Sequence, residues 1–224
     1  MDWTLSRDAL ILHTLQTVPL VTVPGTTHAY SNFGYCLLGR IVEIISGMDF
    51  EQYVCQHIFV PCHITNAFVE KDCKPPQNGC DYFKTTAAAT DQKMTTHVCE
   101  KCEDGWYPLV RRFDSHGGWC MSASDLIKFS VALDQDHVLL SAESRKMLLT
   151  APSVSANYAM GFQVGAGTTR WHTGSIDGTG AILVKTKRGG KNRHWGLVIN
   201  STFVNELDRF GWEVLETVEA VCTK

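Results

Sequence analysis

The chain has 224 residues, of which 44% are hydrophobic and 19% charged, with a formal net charge of -3. That composition belongs to a globular protein with enough chain for one sizeable core. It provides no basic stripe to track phosphates, so no nucleic-acid partner is expected, and no apolar run reaches the ~18–20 residues of a membrane span. The first ten residues carry Asp2, Arg7 and Asp8 among few apolar ones and do not read as a targeting signal, which leaves localisation unread.

Residues 1–29 read as an irregular apolar lead-in ending in the turn Pro24-Gly25, which presents Tyr30, Ser31 and Asn32 at a bend. From Tyr35 to Ser46, residues Leu37, Leu38, Ile41, Val42 and Ile45 share one helical face, and Gly47 stands where a C-terminal cap belongs. This predicts a largely buried helix. A second helix is predicted over Phe50–Phe59, stopped by Pro61. Periodicity then breaks from Glu70 to about Arg112, a long excursion of strand and loop. Ser122 with Asp125 caps a helix beginning near Ala123, and Ser141 caps a short helix ending before Pro152. Beyond it, Tyr158–Gly165, Gly180–Thr186 and Trp195–Ser201 read as antiparallel strands, the last two joined through Gly189-Gly190. A final helix opens at Asn205, with Leu207, Phe210, Val214, Leu215, Val218 and Val221 on one stripe. The resulting class is α+β, helices packed on an antiparallel sheet.

Nine cysteines are present, an odd number that leaves at least one thiol unpaired within the chain. Four of them, Cys73, Cys80, Cys99 and Cys102, crowd into the excursion. The closing Cys-x2-Cys spacing can chelate zinc, with His97 as an alternative ligand, although the opening pair is too widely spaced for a standard finger. Disulfides stapling an insertion and free thiols are the other readings. A zinc-stabilised interaction module is one function this cluster allows.

The most informative segment runs from Pro24 to Glu43, PGTTHAYSNFGYCLLGRIVE. A phenol can serve as a general base only where its surroundings favour the phenolate, and an amide two residues on can orient a substrate or a lysine. A lone Tyr-x-Asn reads as readily as a packed aromatic followed by a helix cap. Its context changes that, because a Pro-Gly turn leads into it, an apolar helix follows, and His172-Thr173-Gly174 lies far downstream beside a predicted strand. In this combination the sequence resembles the serine β-lactamase and penicillin-binding-protein superfamily, in its class C-like branch, which includes esterases and D-amino-acid peptidases. Gly117–Leu126, Met160-Gly161-Phe162 and Asn200 extend the likeness, which covers roughly residues 20–62 and 115–222 on either side of a Cys-rich insertion at 70–112.

The resemblance implies a single domain of β-lactamase/transpeptidase-like fold and an acyl-enzyme mechanism acting on an ester, amide or lactam in a small-molecule or peptide-like substrate, without a cofactor. It makes Tyr30 a proton shuttle, Asn32 an orienting group and His172 the basic residue of a strand whose Thr173 and Gly174 line the substrate. His172 stands where many members have lysine, which suits esterase- and peptidase-like members better than β-lactam carboxylate recognition. The family's nucleophile is the serine of Ser-x-x-Lys, and no serine of this chain has lysine three residues on. The expectation is therefore a chain without the N-terminal part of the fold, and a polypeptide with little or no hydrolase activity. A non-catalytic binding domain is the alternative.

Overall fold

The computed structural model describes residues 6–69, 83–85, 91–93, 114–176, 179–202 and 207–222. The lead-in is not irregular: α1 spans Arg7–Thr17, with the Ser6 hydroxyl accepting from Ala9 N at 3.2 Å and Asp8 in the first turn. Cap and charge start this helix, whereas its apolar residues are spread around the axis and none is buried, so no periodic stripe announces it. An exposed stretch follows, turning at Gly25, whose φ of +79° is one that residues with a side chain rarely adopt.

Helix α2, Asn32–Ser46, starts on Ser31, whose hydroxyl accepts from Gly34 N at 3.0 Å, and ends on Gly47 in the left-handed region at φ +68°. Its burial differs from expectation. Cys36 and Gly39 are buried, but Leu38 and Ile41 are about half exposed and Ile44 and Ile45 are each 81% exposed. The stripe is real, yet nothing among the described residues covers its outer part. Helix α3, Phe50–Val54, continues as a π-helical turn over Cys55–Phe59, closed by Val60 N donating to Cys55 O, so the predicted second helix is present with a widened end.

Strand β1 is Phe68–Val69, β2 Phe83–Thr85, β3 Asp91–Lys93 and β4 Trp119–Cys120. β1 pairs antiparallel with β4, Phe68 opposite Cys120. Most of the 70–112 excursion, including Cys73, Cys80, Cys99, Cys102 and His97, lies outside the described residues. α4, Ala123–Asp134, begins as predicted on Ser122, whose hydroxyl accepts from Asp125 N at 3.1 Å, and α5, Ala142–Leu148, begins on Ser141. Phe59, Cys62, Ile64 and Ala132 form a first core under Trp119, whose ring meets Phe59 edge-on at 4.8 Å.

The main sheet follows, with β5 at Gln163–Val164, β6 at Arg170–Ile176, β7 at Thr179–Arg188 and β8 at Lys191–Ile199. The order is β5-β6-β7-β8, antiparallel throughout. β7 and β8 are joined by Gly189 (φ +55°) and Gly190 (φ +77°), the two-residue mirror-image turn whose twist matches the strands. Beyond them come β9, Ser201–Thr202, which makes a smaller sheet in the order β3-β2-β9, and α6, Leu207–Cys222. The predicted strand Tyr158–Gly165 shrinks to β5, with Tyr158 making a single bridge to Gln163 around a tight turn, and β6 is a strand that the residue pattern does not announce.

Alternation along β7 sends its side chains to two helices. Ile182 and Val184 pack with Leu215 and Trp212 of α6, while Lys185 faces α4. Glycines set both approaches: a Cβ on Gly211 would stand 2.8 Å from Ile182 Cδ1, and one on Gly196 would stand 2.9 Å from the Ala123 carbonyl. The sheet is thus clamped between α4 and α6, and β6 is held as a rigid rail beside β7.

Candidate active site

Capping by Ser31 fixes where α2 starts and thereby where Tyr30 and Asn32 point. The Tyr30 hydroxyl donates to Asn32 Oδ1 at 3.1 Å, and the phenol is 56% exposed. Of the two ordinary readings of Tyr-x-Asn, neither fits: the cap is Ser31 rather than Asn32, and Tyr30 is not packed away. On β6, His172 pairs opposite Leu183, Thr173 opposite Ile182 and Gly174 opposite Ala181. His172 and Thr173 are half-buried, Gly174 is exposed, and the space where a Cβ on Gly174 would sit is open.

One residue the sequence did not single out joins these two regions. Tyr158 stands in the turn before β5, its amide donating to Ser155 Oγ at 3.1 Å. Its hydroxyl lies 3.3 Å from His172 Nε2, its ring meets the Tyr30 ring edge-on at 6.3 Å, and the His28 imidazole lies against it at 5.0 Å. Tyr35, one turn into α2, hydrogen-bonds the same hydroxyl. Burial first, and then the phenols of Tyr35 and Tyr30, hold Tyr158 well above the ordinary phenol range, so it is neutral at any physiological pH. Tyr30, which bonds Asn32, and His172, far downstream in the sequence, therefore both meet one neutral phenol.

A second constellation lies on the α4 side of the sheet. Ser130 Oγ is 2.8 Å from His194 Nδ1, and His194 Nε2 is 3.5 Å from Asp134 Oδ2. The residue types are those of a nucleophile, a base and an orienting carboxylate, but Ser130 is only 2% exposed and no substrate can reach it. Arg170, equally buried, donates to Asp134 Oδ1 at 2.7 Å, and Lys185 approaches Oδ2 at 3.6 Å. This is an internal ion cluster tying α4 to β6, β7 and β8. Among the described residues, no three His, Cys, Asp or Glu side chains gather to hold a metal ion.

The sequence matches the Beta-lactamase family over residues 1–212. The chain belongs to that family. An N-acetylmuramyl-L-alanine amidase of Bacillus subtilis (strain 168) is 35% identical over 170 residues, 70% of this chain and 38% of that protein. The D-amino acid amidase of Ochrobactrum anthropi SV3, solved with L-phenylalanine, superposes with a TM-score of 0.75 at 17% identity, covering 100% of this chain and 67% of that one. A penicillin binding protein from Bacillus halodurans gives 0.66 at 19%, covering 94% and 62%. The β-lactamase/transpeptidase-like fold expected from the motifs is thus present. This β-lactamase-family chain spans 33% to 39% of the length of the curated relatives it matches.

Proposed function

We propose that this chain supplies the substrate-facing half of a serine-hydrolase site of the β-lactamase family, acting on ester, amide or lactam bonds in small or peptide-like substrates. The observation that carries the reading is that Tyr30, bonded to Asn32, and His172 both approach Tyr158. In the proposed chemistry a serine hydroxyl attacks the substrate carbonyl, the bond to the leaving group breaks, and water releases the acyl group from the serine. Tyr30 passes the proton between serine and leaving group, Asn32 orients the substrate amide, and His172, Thr173 and Gly174 line the strand along which the substrate lies.

The serine and its lysine partner are not among these 224 residues as a Ser-x-x-Lys pair. The reading therefore includes binding without turnover by this polypeptide as it stands. Incubated with a fluorescent β-lactam that labels active-site serines, the 224-residue chain is expected to stay unlabelled, and labelling would overturn that part. Joined upstream to the Ser-x-x-Lys portion of a relative, it is expected to label and to turn over a D-amino-acid amide. In that form Tyr30→Phe should slow turnover by about 10²- to 10⁴-fold, the usual contribution of a positioned acid–base group. Unchanged turnover would remove Tyr30 from the role.

A further inference from the structure

The hairpin of β7 and β8 ends in a concentration of positive charge. Lys187 and Arg188 precede its two-glycine turn, Lys191 and Arg193 follow it, and all four are exposed, in a chain whose formal net charge is -3. Register places Arg188 directly opposite Lys191, and like charges so placed weaken a pair of strands. Arg188 is offset by an ion pair with Glu219 of α6, but among the described residues no carboxylate lies within ion-pair distance of Lys187, Lys191 or Arg193. Protection of an outer strand from pairing with another chain accounts for charge on β8. It does not account for Lys187 and Arg188, because β7 is an inner strand. Alternation puts Arg188, Lys191 and Arg193 on the α6 side of the ribbon and Lys187 on the α4 side, so charge surrounds the tip instead of lining one face. At the turn itself, the space where a Cβ on Gly189 or Gly190 would sit is open.

α6 brings apolar side chains to the same place. Leu207 approaches Gly180, Gly211 approaches Ile182 and Glu219 pairs with Arg188, so α6 runs alongside β7 and ends beside the tip. Within one turn of Glu219, Val221 is 70% exposed and Val218 37%. We propose that the β7–β8 tip, together with the end of α6, docks this chain on an anionic bilayer surface. A headgroup layer offers its anions in a plane, where cations grouped around the end of a ribbon engage them together, and it accepts the valine side chains beside them. A nucleic-acid duplex calls for cations spread along a stripe, which this chain lacks. His172 pairs with Leu183, five residues short of Arg188 along β7, or about 16 Å at ~3.3 Å per residue. The tip therefore meets the bilayer while the substrate strand stands back from it.

The test is cosedimentation of the full 224-residue chain with phosphatidylcholine vesicles, with and without about one-third phosphatidylserine. Binding is expected only where phosphatidylserine is present, and should be lost as NaCl rises from about 0.1 to 0.5 M. Each Lys or Arg near an anionic surface raises partitioning about fivefold. Lys191→Gln should therefore weaken binding about fivefold, and Lys187→Gln, Lys191→Gln and Arg193→Gln together about 10²-fold, with Tm unchanged because none of the three holds a partner. Lys146→Gln makes the same change in net charge at an exposed place on α5 and should leave binding as it was. Equal binding without phosphatidylserine, no binding to either vesicle, or equal losses in Lys191→Gln and Lys146→Gln would each overturn the proposal. So would tighter binding to a DNA duplex than to the anionic vesicles. Because no turnover enters, a failure of the hydrolase reading would appear in the serine-probe experiment and leave this one standing.

Discussion

Gly39 offers the most direct check of how the helical half is packed. It lies on the buried side of α2, and a Cβ there would stand 2.4 Å from both Cβ and Oγ of Ser115. Ser115 Cβ is tied to its backbone, so the 114–117 turn would have to move. That turn carries Asp114, whose Oδ2 accepts from Arg7 at 2.5 Å and from Arg40 at 2.7 Å, and whose carbonyl accepts from Trp119 Nε1 at 2.7 Å. Replacing Gly39 by alanine improves helix propensity by about 1 kcal/mol. Overpacking of a tight site costs roughly 1–3 kcal/mol, and displacing a buried, doubly paired carboxylate adds to that. The net expectation for Gly39→Ala is a loss of about 2 kcal/mol, or a fall in Tm of roughly 4–8 °C for a chain of this size, read by thermal melting. Combining it with Ser115→Gly removes the opposing Cβ and should recover most of the loss. A Tm that rises in Gly39→Ala, or a double variant no better than the single one, would refute the packing argument.

Two further outcomes follow from the ion cluster on the α4 side of the sheet. Asp134→Asn withdraws the carboxylate from Arg170, which is 3% exposed, and from Lys185, leaving two buried cations facing each other; the expected loss in a denaturant melt is about 3–5 kcal/mol, and a change below about 1 kcal/mol would contradict it. Burial holds His194 below its ordinary 6.5, outweighing Asp134, with Arg170 and Lys185 pressing the same way, and burial likewise lowers His116. The unfolded chain then binds these protons more readily than the folded one. Stability should therefore fall as pH drops through about 6.5 and below, and a Tm that is flat or rising from about pH 7.5 to 5.5 would be inconsistent with it.

Legibility from sequence tracked locality. Caps and turns were readable because their physics is contained in four or five residues: Ser122 before α4, Ser141 before α5, Gly47 after α2 and the Gly189-Gly190 turn all stand where their residue types place them. α1 escaped because nothing in it is buried, and burial is what imprints a period. The exposure of Ile44 and Ile45 was not legible either, since a stripe records that a helix has an apolar face but not what covers it. At the candidate site, motifs single out Tyr30, Asn32 and His172, whereas Tyr158 belongs to none of them. Its one signal is an aromatic placed just ahead of Met160-Gly161-Phe162, and its surroundings come from a strand fourteen residues later and from the residues that open helix α2.

The two-residue connection at Gly189-Gly190 also bears on the order of assembly. From Arg188 opposite Lys191 outward to Gly180 opposite Ile199, each pairing of β7 with β8 closes a loop only slightly longer than the last. The contact from Arg7 to Asp114, by contrast, spans 107 positions. Loop-closure entropy rises with the logarithm of length, and local contacts form ahead of distant ones. The hairpin can zip from its turn before α1 finds the 114–117 turn, so the half of the molecule that contains β6 and His172 gains its framework early, and the half that contains Tyr30 is delivered to it late.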